Sequence, residues 1–243
     1  MRTFFLPRRW LVRLSALAVV LMILATAQLL GQNEQVSEWV SAGLDGGAPV
    51  FSSGEAENGA VSWLVQVPAE ADEQILRQML SVLAENHAKA TFFIGREFAA
   101  RQNELLLSLQ AGGHQLGVLG ASGDGDDVKA DMAEAAALLT EATGEVPLLF
   151  LPENGVAADD VRKAAAELGL IFVLGGVDSG DWQAEKAEEI IAEVLQQAEA
   201  GSFVTISPTE ISVAALKVLL PELAAKGLSC CTVAENLTRQ KSE

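Results

Sequence analysis

Histidine is scarce in this 243-residue sequence, which contains only His87 and His114, and tyrosine is absent. The chain is therefore short of the side chains that most often shuttle protons or hold metal ions. Positive charge is also scarce. Lys and Arg number 16 against 33 Asp and Glu, a formal net charge of −17. Four of those arginines, Arg2, Arg8, Arg9 and Arg13, lie at the extreme N-terminus, so the rest of the chain is more acidic still. Nucleic-acid binding is excluded as a function class, because phosphate recognition needs a basic footprint. Proline is limited to 7 residues while half of the chain is hydrophobic and 20% is charged, a balance unlike disordered, collagenous or disulfide-scaffold proteins. The two cysteines, Cys230 and Cys231, are adjacent. On a strand they would face opposite sides, which disfavours a bridge between them. They read as buried free thiols, with an intermolecular link or a redox role as the alternatives.

Familiar ligand motifs are missing too. Gly117-Val118-Leu119-Gly120 does not make a phosphate-binding fingerprint. Asp124-Gly125-Asp126-Asp127 lacks the twelve-residue calcium pattern and its closing Glu, so it reads as an acidic helix N-terminus. With two histidines, no Ser/His/Asp or Cys/His nucleophile set is proposed.

What is present begins with an uncharged stretch from Leu14 to Asn33, almost wholly apolar through Leu30. That is roughly the ~17–25 residues a bilayer-spanning helix requires, and the preceding arginines place residues 1–13 in the cytoplasm. Residues 14–30 are therefore expected to be a single-pass anchor with the C-terminal domain outside the cytoplasm. The alternative is a signal peptide cut near Ala25-Thr26-Ala27, leaving a secreted protein. Residues 31–59, rich in Gly, Ser, Asn and acids, read as a linker with one short helix at most.

From residue 60 onward short apolar runs alternate with amphipathic stretches. Strands are expected at Val61–Val67, Ala90–Ile94, His114–Leu119, Leu148–Leu151, Leu170–Leu174, Ser202–Ile206 and Leu228–Val233. Between them, helices carry Ile75 to Leu83, Phe98 with Leu105, Leu106 and Leu109, Leu138-Leu139, Val161 with Leu168, Ile190 to Leu195, and Leu216 to Leu223. Pro221 suggests that the last is two pieces. Apolar strands separated by helices imply parallel pairing with both faces buried, hence an α/β barrel or a doubly wound sheet. In either fold, chemistry gathers at the C-terminal ends of the strands.

Several strings at those ends, in order, resemble the polysaccharide deacetylases, the chitooligosaccharide deacetylase homology domain or carbohydrate esterase family 4. Lys89-Ala90-Thr91-Phe92-Phe93-Ile94-Gly95 followed by Gly113-His114-Gln115-Leu116-Gly117 is similar to the family's KATFF and GHEIG segments. Phe150 to Gly155 resembles its FRPPYG loop, Asp178-Ser179-Gly180-Asp181-Trp182 its DSxDW turn, and Gly201 to Ser207 its GSIVLLH strand. The resemblance covers residues 60–237, leaves a tail at 238–243, and implies a distorted (β/α) barrel of about seven parallel strands. It also implies hydrolysis of sugar N- or O-acetyl groups, with a divalent metal on one Asp and two His polarising the carbonyl and activating water.

Carried over residue by residue, that chemistry is missing. The base falls on Gln66, the metal ligands on Val67, Leu119 and Gly123, the orienting arginine on Leu151, the oxyanion-loop tyrosine on Asn154 and the acid histidine on Ser207. Val67, Leu119 and Gly123 offer no metal donor, and Gln66 cannot act as a carboxylate base. No catalytic residue and no metal cofactor is expected; the zinc or cobalt of the family should be absent. The expectation is a membrane-tethered, catalytically silent or impaired relative that binds a glycan or a protein partner. Its candidate groove comprises Asn154, Asp178, Asp181 and Trp182. A plainer alternative has Asp181 capping the next segment and Trp182 plugging the core. Two further readings are an atypical metal-dependent deacetylase using Asp178, Asp181, Asp124 or Glu153, and an assembly factor offering only a rigid surface. His114 is expected to be a hydrogen-bonded structural residue, and His87 a residue at a helix end.

Overall fold

The computed structural model describes residues 48–120 and 125–238. The expected anchor at 14–30, most of the 31–59 linker, and Gly123 with Asp124 lie outside the described residues. Among those described, no helix is long and apolar enough to cross a membrane.

The described strands are β1 (Val50–Phe51), β2 (Ala60–Val67), β3 (Thr91–Ile94), β4 (Gln115–Gly120), β5 (Leu149–Pro152), β6 (Ile171–Val173), β7 (Val177–Asp178), β8 (Phe203–Ile206) and β9 (Ser229–Cys230). The helices are α1 (Glu73–Glu85), α2 (Arg96–Ala99), α3 (Asn103–Ala111), α4 (Gly125–Thr143), α5 (Asp159–Glu167), α6 (Ala187–Gln197), α7 (Glu210–Ala225) and α8 (Val233–Leu237). Local chemistry starts several of them. Asp72 accepts the N–H groups of Gln74 and Ile75 at the head of α1, and Thr209 accepts that of Ser212 at the head of α7. A reciprocal Thr232–Glu235 capping box opens α8.

All ladder pairs are parallel, in the order β1-β6-β5-β4-β3-β2-β8-β7, with β9 beside the start of β2. The chain leaving β1 reaches back to the residues that enter β8. Ser53 bridges Ser202, and the Gly54 N–H donates to the Gly201 carbonyl at 2.7 Å. The curled sheet is thereby drawn towards a distorted barrel, as expected.

Alternation along the strands sorts the core into two layers. Trp63, Val65, Val67, Phe92, Ile94, Phe150 and Phe172 pack outward with the helices, whereas Leu64, Phe93, Leu149, Leu151, Ile171, Val173 and Phe203 form a separate inner cluster. Among the described residues, helix side chains join that inner cluster only from α8, through Val233 and Leu237. This helix closes the N-terminal end of the barrel, its first N–H groups donating to Thr91 Oγ1 (2.9 Å) and Gln115 Oε1 (3.0 Å). Space inside is tight: a Cβ on Gly117 would lie 2.8 Å from the Phe93 ring.

The structure departs from the expected elements in four places. Strands β1 and β7 are additional to the expected seven, both too short to carry a periodic signal. Phe98 and Leu105 lie on separate helices, because Gln102, with φ −125° and ψ 44°, leaves the helical conformation between α2 and α3. The strand expected over 228–233 stops at Cys230, where Thr232 instead caps α8. Pro221 lies within one continuous helix, α7, rather than between two. Proline removes one helical hydrogen bond, but Leu216, Leu219, Leu220 and Leu223 are all buried and hold both sides of it against the core.

The described end of the expected linker also belongs to the fold. Beyond the pairing of β1 with β6, the Glu55 N–H donates to the Asn236 carbonyl at 2.9 Å, and Asn58 Nδ2 donates to the same carbonyl at 2.9 Å. A chain starting at residue 60 should therefore melt roughly 2–8 °C below one starting at 48, the shift expected from ~1–2 kcal/mol in a domain of this size. Hydrogen exchange should show α8 losing protection in the shorter chain.

Candidate functional site

The C-terminal ends of β2–β5, β7 and β8 form one rim of the barrel, and most of the family positions named above lie on it. Gln66 is half-buried on the inner face of β2, while its neighbour Val67 is fully buried in the outer layer. Leu119 and Leu151 are register partners on β4 and β5, 3% and 1% exposed, and both belong to the inner cluster. Ser207 follows β8 half-buried, its backbone N–H donating to Asp181 Oδ2 at 2.7 Å. Val67, Leu119 and Leu151 thus present hydrocarbon where an ion and its support would require donors. No group of three or more His, Cys, Asp or Glu placed to hold a metal exists among the described residues. The donor set does not fit the family's metal.

The 178–182 turn is built from its own side chains. Asp178 Oδ1 accepts the Gly180 N–H at 2.9 Å, and its Oδ2 accepts the Trp182 indole N–H at 3.3 Å. Asp181 accepts from the Ser179 hydroxyl at 2.9 Å as well as from Ser207, stapling the loop after β7 to the end of β8. Trp182 is 74% exposed, so the expectation that it plugs the core fails: the interior is already filled by strand side chains, and the indole is held outside by Asp178. Asp181 does not cap the following helix either; α6 begins at Ala187, and its N-cap residue is Lys186, with no side-chain cap. Asp178, Asp181 and Trp182 therefore form one unit. Asn154 is exposed on the loop after β5, where its Oδ1 accepts the Val156 N–H at 3.0 Å, a bond local to that loop.

A small open cleft of about 130 Å³ lies beside the rim, floored by Leu119 and walled by Pro68, Gly95, Arg96, Asp131 and Glu153. Arg96 donates to Asp131 (2.5 Å), Glu97 (2.5 Å) and Glu134 (3.2 Å). Partial burial, then the negative charges of Glu70, Asp131 and Glu97, raise the Glu153 carboxyl above its ordinary range. Ile94-Gly95-Arg96 marks one wall in the sequence, but of the carboxylates that meet Arg96 only Glu97 is its neighbour along the chain; Asp131 and Glu134 come from α4 and are paired with it only by folding. Glu153 stands in this cleft, with Asp178 and Asp181 engaged in their own turn, so these alternative ligands form no common cluster.

Neither histidine serves the rim. His114 is buried, its Nδ1 accepts the Ala90 N–H at 3.2 Å, and its ring meets Phe92 edge-on at 5.3 Å. Burial, helped by the charge of Lys89, pulls it down to about 4. His87 is exposed just beyond α1, with a left-handed φ of 51°. The cysteines are free. Cys230 accepts the Trp63 indole N–H at 3.4 Å, and burial raises both thiols, Cys231 to about 11. They are poor nucleophiles at neutral pH.

Comparison with known proteins gives these observations a context. A family model for polysaccharide deacetylase matches residues 68–173. A peptidoglycan-N-acetylglucosamine deacetylase of Bacillus cereus is 33% identical over 174 residues, spanning 66% of this chain and 80% of that protein. Among solved structures, a CE4 family pseudoenzyme from Bacillus anthracis shares the fold with a TM-score of 0.74 at 18% identity, covering 79% of this chain and 70% of that one. A peptidoglycan N-acetylglucosamine deacetylase shares it with a TM-score of 0.73 at 24% identity, covering 84% and 98%.

His114 generates a pH signature. A histidine held neutral by the fold binds a proton more readily when unfolded, so it destabilises the protein as pH falls from about 6.5 toward its folded value of about 4. Urea midpoints of the parent should drop more steeply over that window than those of His114→Gln, whose amide oxygen can still accept the Ala90 N–H.

Proposed function

We propose a function from one premise: this chain belongs to the polysaccharide deacetylase family. Within it, the protein acts as a membrane-tethered, extracytoplasmic binder of amino-sugar polymers in cell-wall or related carbohydrate metabolism, and it does not hydrolyse them. The observation that carries this reading is the occupation of the reaction's positions by Gln66, Val67, Leu119, Leu151 and Ser207. In the family's chemistry a bound divalent ion polarises the acetyl carbonyl and lowers the pKa of its water. Here Gln66 carries an amide where a base must take a proton, Val67 and Leu119 have no lone pair to donate, and Ser207 replaces an acid that would protonate the leaving amine. Loss of one ligand can be compensated; loss of base, described ligands and acid together leaves no group to start the reaction.

The scaffold of a groove persists. Trp182 exposes a broad apolar face, and its indole N–H is tied to Asp178, so its orientation is set before any ligand arrives. Pyranose rings present axial C–H faces that pack on such a surface, and a preset indole loses little freedom on binding. Tethering through residues 14–30 rests on their length, apolarity and the arginines before them. That the B. anthracis neighbour of the same fold is described as a pseudoenzyme supports the view that this barrel is retained without activity.

Purified protein incubated with chitooligosaccharides or peptidoglycan, with zinc or cobalt added, should release no acetate above the buffer rate and should carry substoichiometric metal. Metal-dependent turnover would overturn the reading. Isothermal titration with glycan oligomers should show binding that Trp182→Ala weakens about tenfold, ~1.4 kcal/mol, and that added salt does not weaken, since the acidic surface offers nothing for an anionic polymer. Affinity unchanged in Trp182→Ala would rule out the groove.

A further inference from the structure

We infer that the glycan this barrel takes is the de-N-acetylated one, an amino-sugar polymer whose protonated amine seats in the cleft floored by Leu119. This rests on the glycan-binding reading above and names the chemical form that is bound.

The cleft has acceptors in excess and no side-chain donor to spare. Its charged lining is Glu70, Glu97, Asp131 and Glu153 against the single cation Arg96. That guanidinium is already committed, because Nε donates to Asp131, Nη1 to Glu134 and Nη2 to Glu97. Arg101, the next cation along the chain, donates to the Ala69 carbonyl. The Glu153 carboxyl, by contrast, has no hydrogen bond or ion pair among the described residues. Burial, and then the charges of Glu70, Asp131 and Glu97, hold it above the ordinary carboxylate range, so the cleft lacks positive charge. An ammonium brings three donors and that charge. An N-acetyl group brings one N–H, no charge, and a carbonyl for which this lining holds no unused side-chain donor.

The walls are set before any ligand arrives. The Ala71 N–H donates to the Pro68 carbonyl at 3.2 Å, and the Gly95 N–H to that of Val67 at 2.9 Å, so little freedom is lost on binding. Around the rim β7 pairs with β8 and β8 with β2. The 178–182 turn therefore stands two strand spacings from the end of β2, about 10 Å, and one short oligomer reaches from Trp182 to the cleft.

Isothermal titration of the full chain tests this with equal-length oligomers of N-acetylglucosamine and of glucosamine, at about pH 6 where such an amine is charged. The glucosamine oligomer should bind about tenfold more tightly, the scale of one hydrogen bond to a charged group. That preference should shrink severalfold in Glu153→Gln and fade as salt shortens the Debye length, while the acetylated oligomer's affinity, carried by Trp182, stays level. Glu222→Gln, which removes a charge from the exposed side of α7, should leave the preference as in wild type. Trp182→Ala should weaken both oligomers. A preference that is absent, that persists in about 1 M salt or that survives Glu153→Gln overturns the inference. So does a lysine oligomer that binds as tightly as the glucosamine one, since charge alone then accounts for the affinity. If the preference is absent while Trp182→Ala still weakens binding, the glycan-binding reading stands without it; if neither oligomer binds, that reading fails and this inference with it.

Discussion

Every second side chain of the central strands points into a barrel with little spare volume, and filling that interior is the constraint on which the other features depend. Leu64, Phe93, Leu149, Leu151, Ile171, Val173 and Phe203 satisfy it from the strands, and α8 completes it from below. Gly117 is small because Phe93 is large. The stop of β9 at Cys230 and the capping box of Thr232 turn the chain in time for Val233 and Leu237 to reach the column. The curl of the sheet serves the same end: the short β1 lies beside β6, and the Ser53–Ser202 bridge ties the chain after it to the entry of β8.

The rim shows what occupies the positions that correspond to the family's reactive groups. Catalytic positions at strand ends are points where the inner layer meets solvent, so each is available either to a polar group that reacts or to an apolar group that extends the core. Leu119 and Leu151 take the second course. The 178–182 turn is spared that choice because it stands outside the column. Its carboxylates are engaged with Gly180, Ser179, Ser207 and the Trp182 indole, which keeps the shape of a groove wall without requiring an ion.

Much of this was legible in the order of residues. The apolar runs at Val61–Val67 and Ala90–Ile94 announce parallel strands because they are covered on both faces, and those strands occur where expected. The structural role of His114 follows from its place after a Gly-Gly stop, and the free thiols from the adjacency of Cys230 and Cys231. Strands of two residues, by contrast, have no period to detect, so β1 and β7 were invisible and the seam-closing segment looked like linker. The break after α2 was hidden for a similar reason, since Phe98 and Leu105 keep helical spacing across it.

Composition and local pattern by themselves determined the strand-helix alternation, the parallel sheet, the family likeness and the missing acid, base and ligand types, because these depend on residue identity and on periods of two or 3.6 that act between near neighbours. Only the tertiary structure decided which way the side chains at the rim face. It set Val67 and Leu119 in different layers, left Trp182 outside the core, and gathered the carboxylates of α4 around Arg96. Those outcomes rest on contacts between segments distant along the chain, and no local pattern encodes them until the barrel curls and brings the segments together.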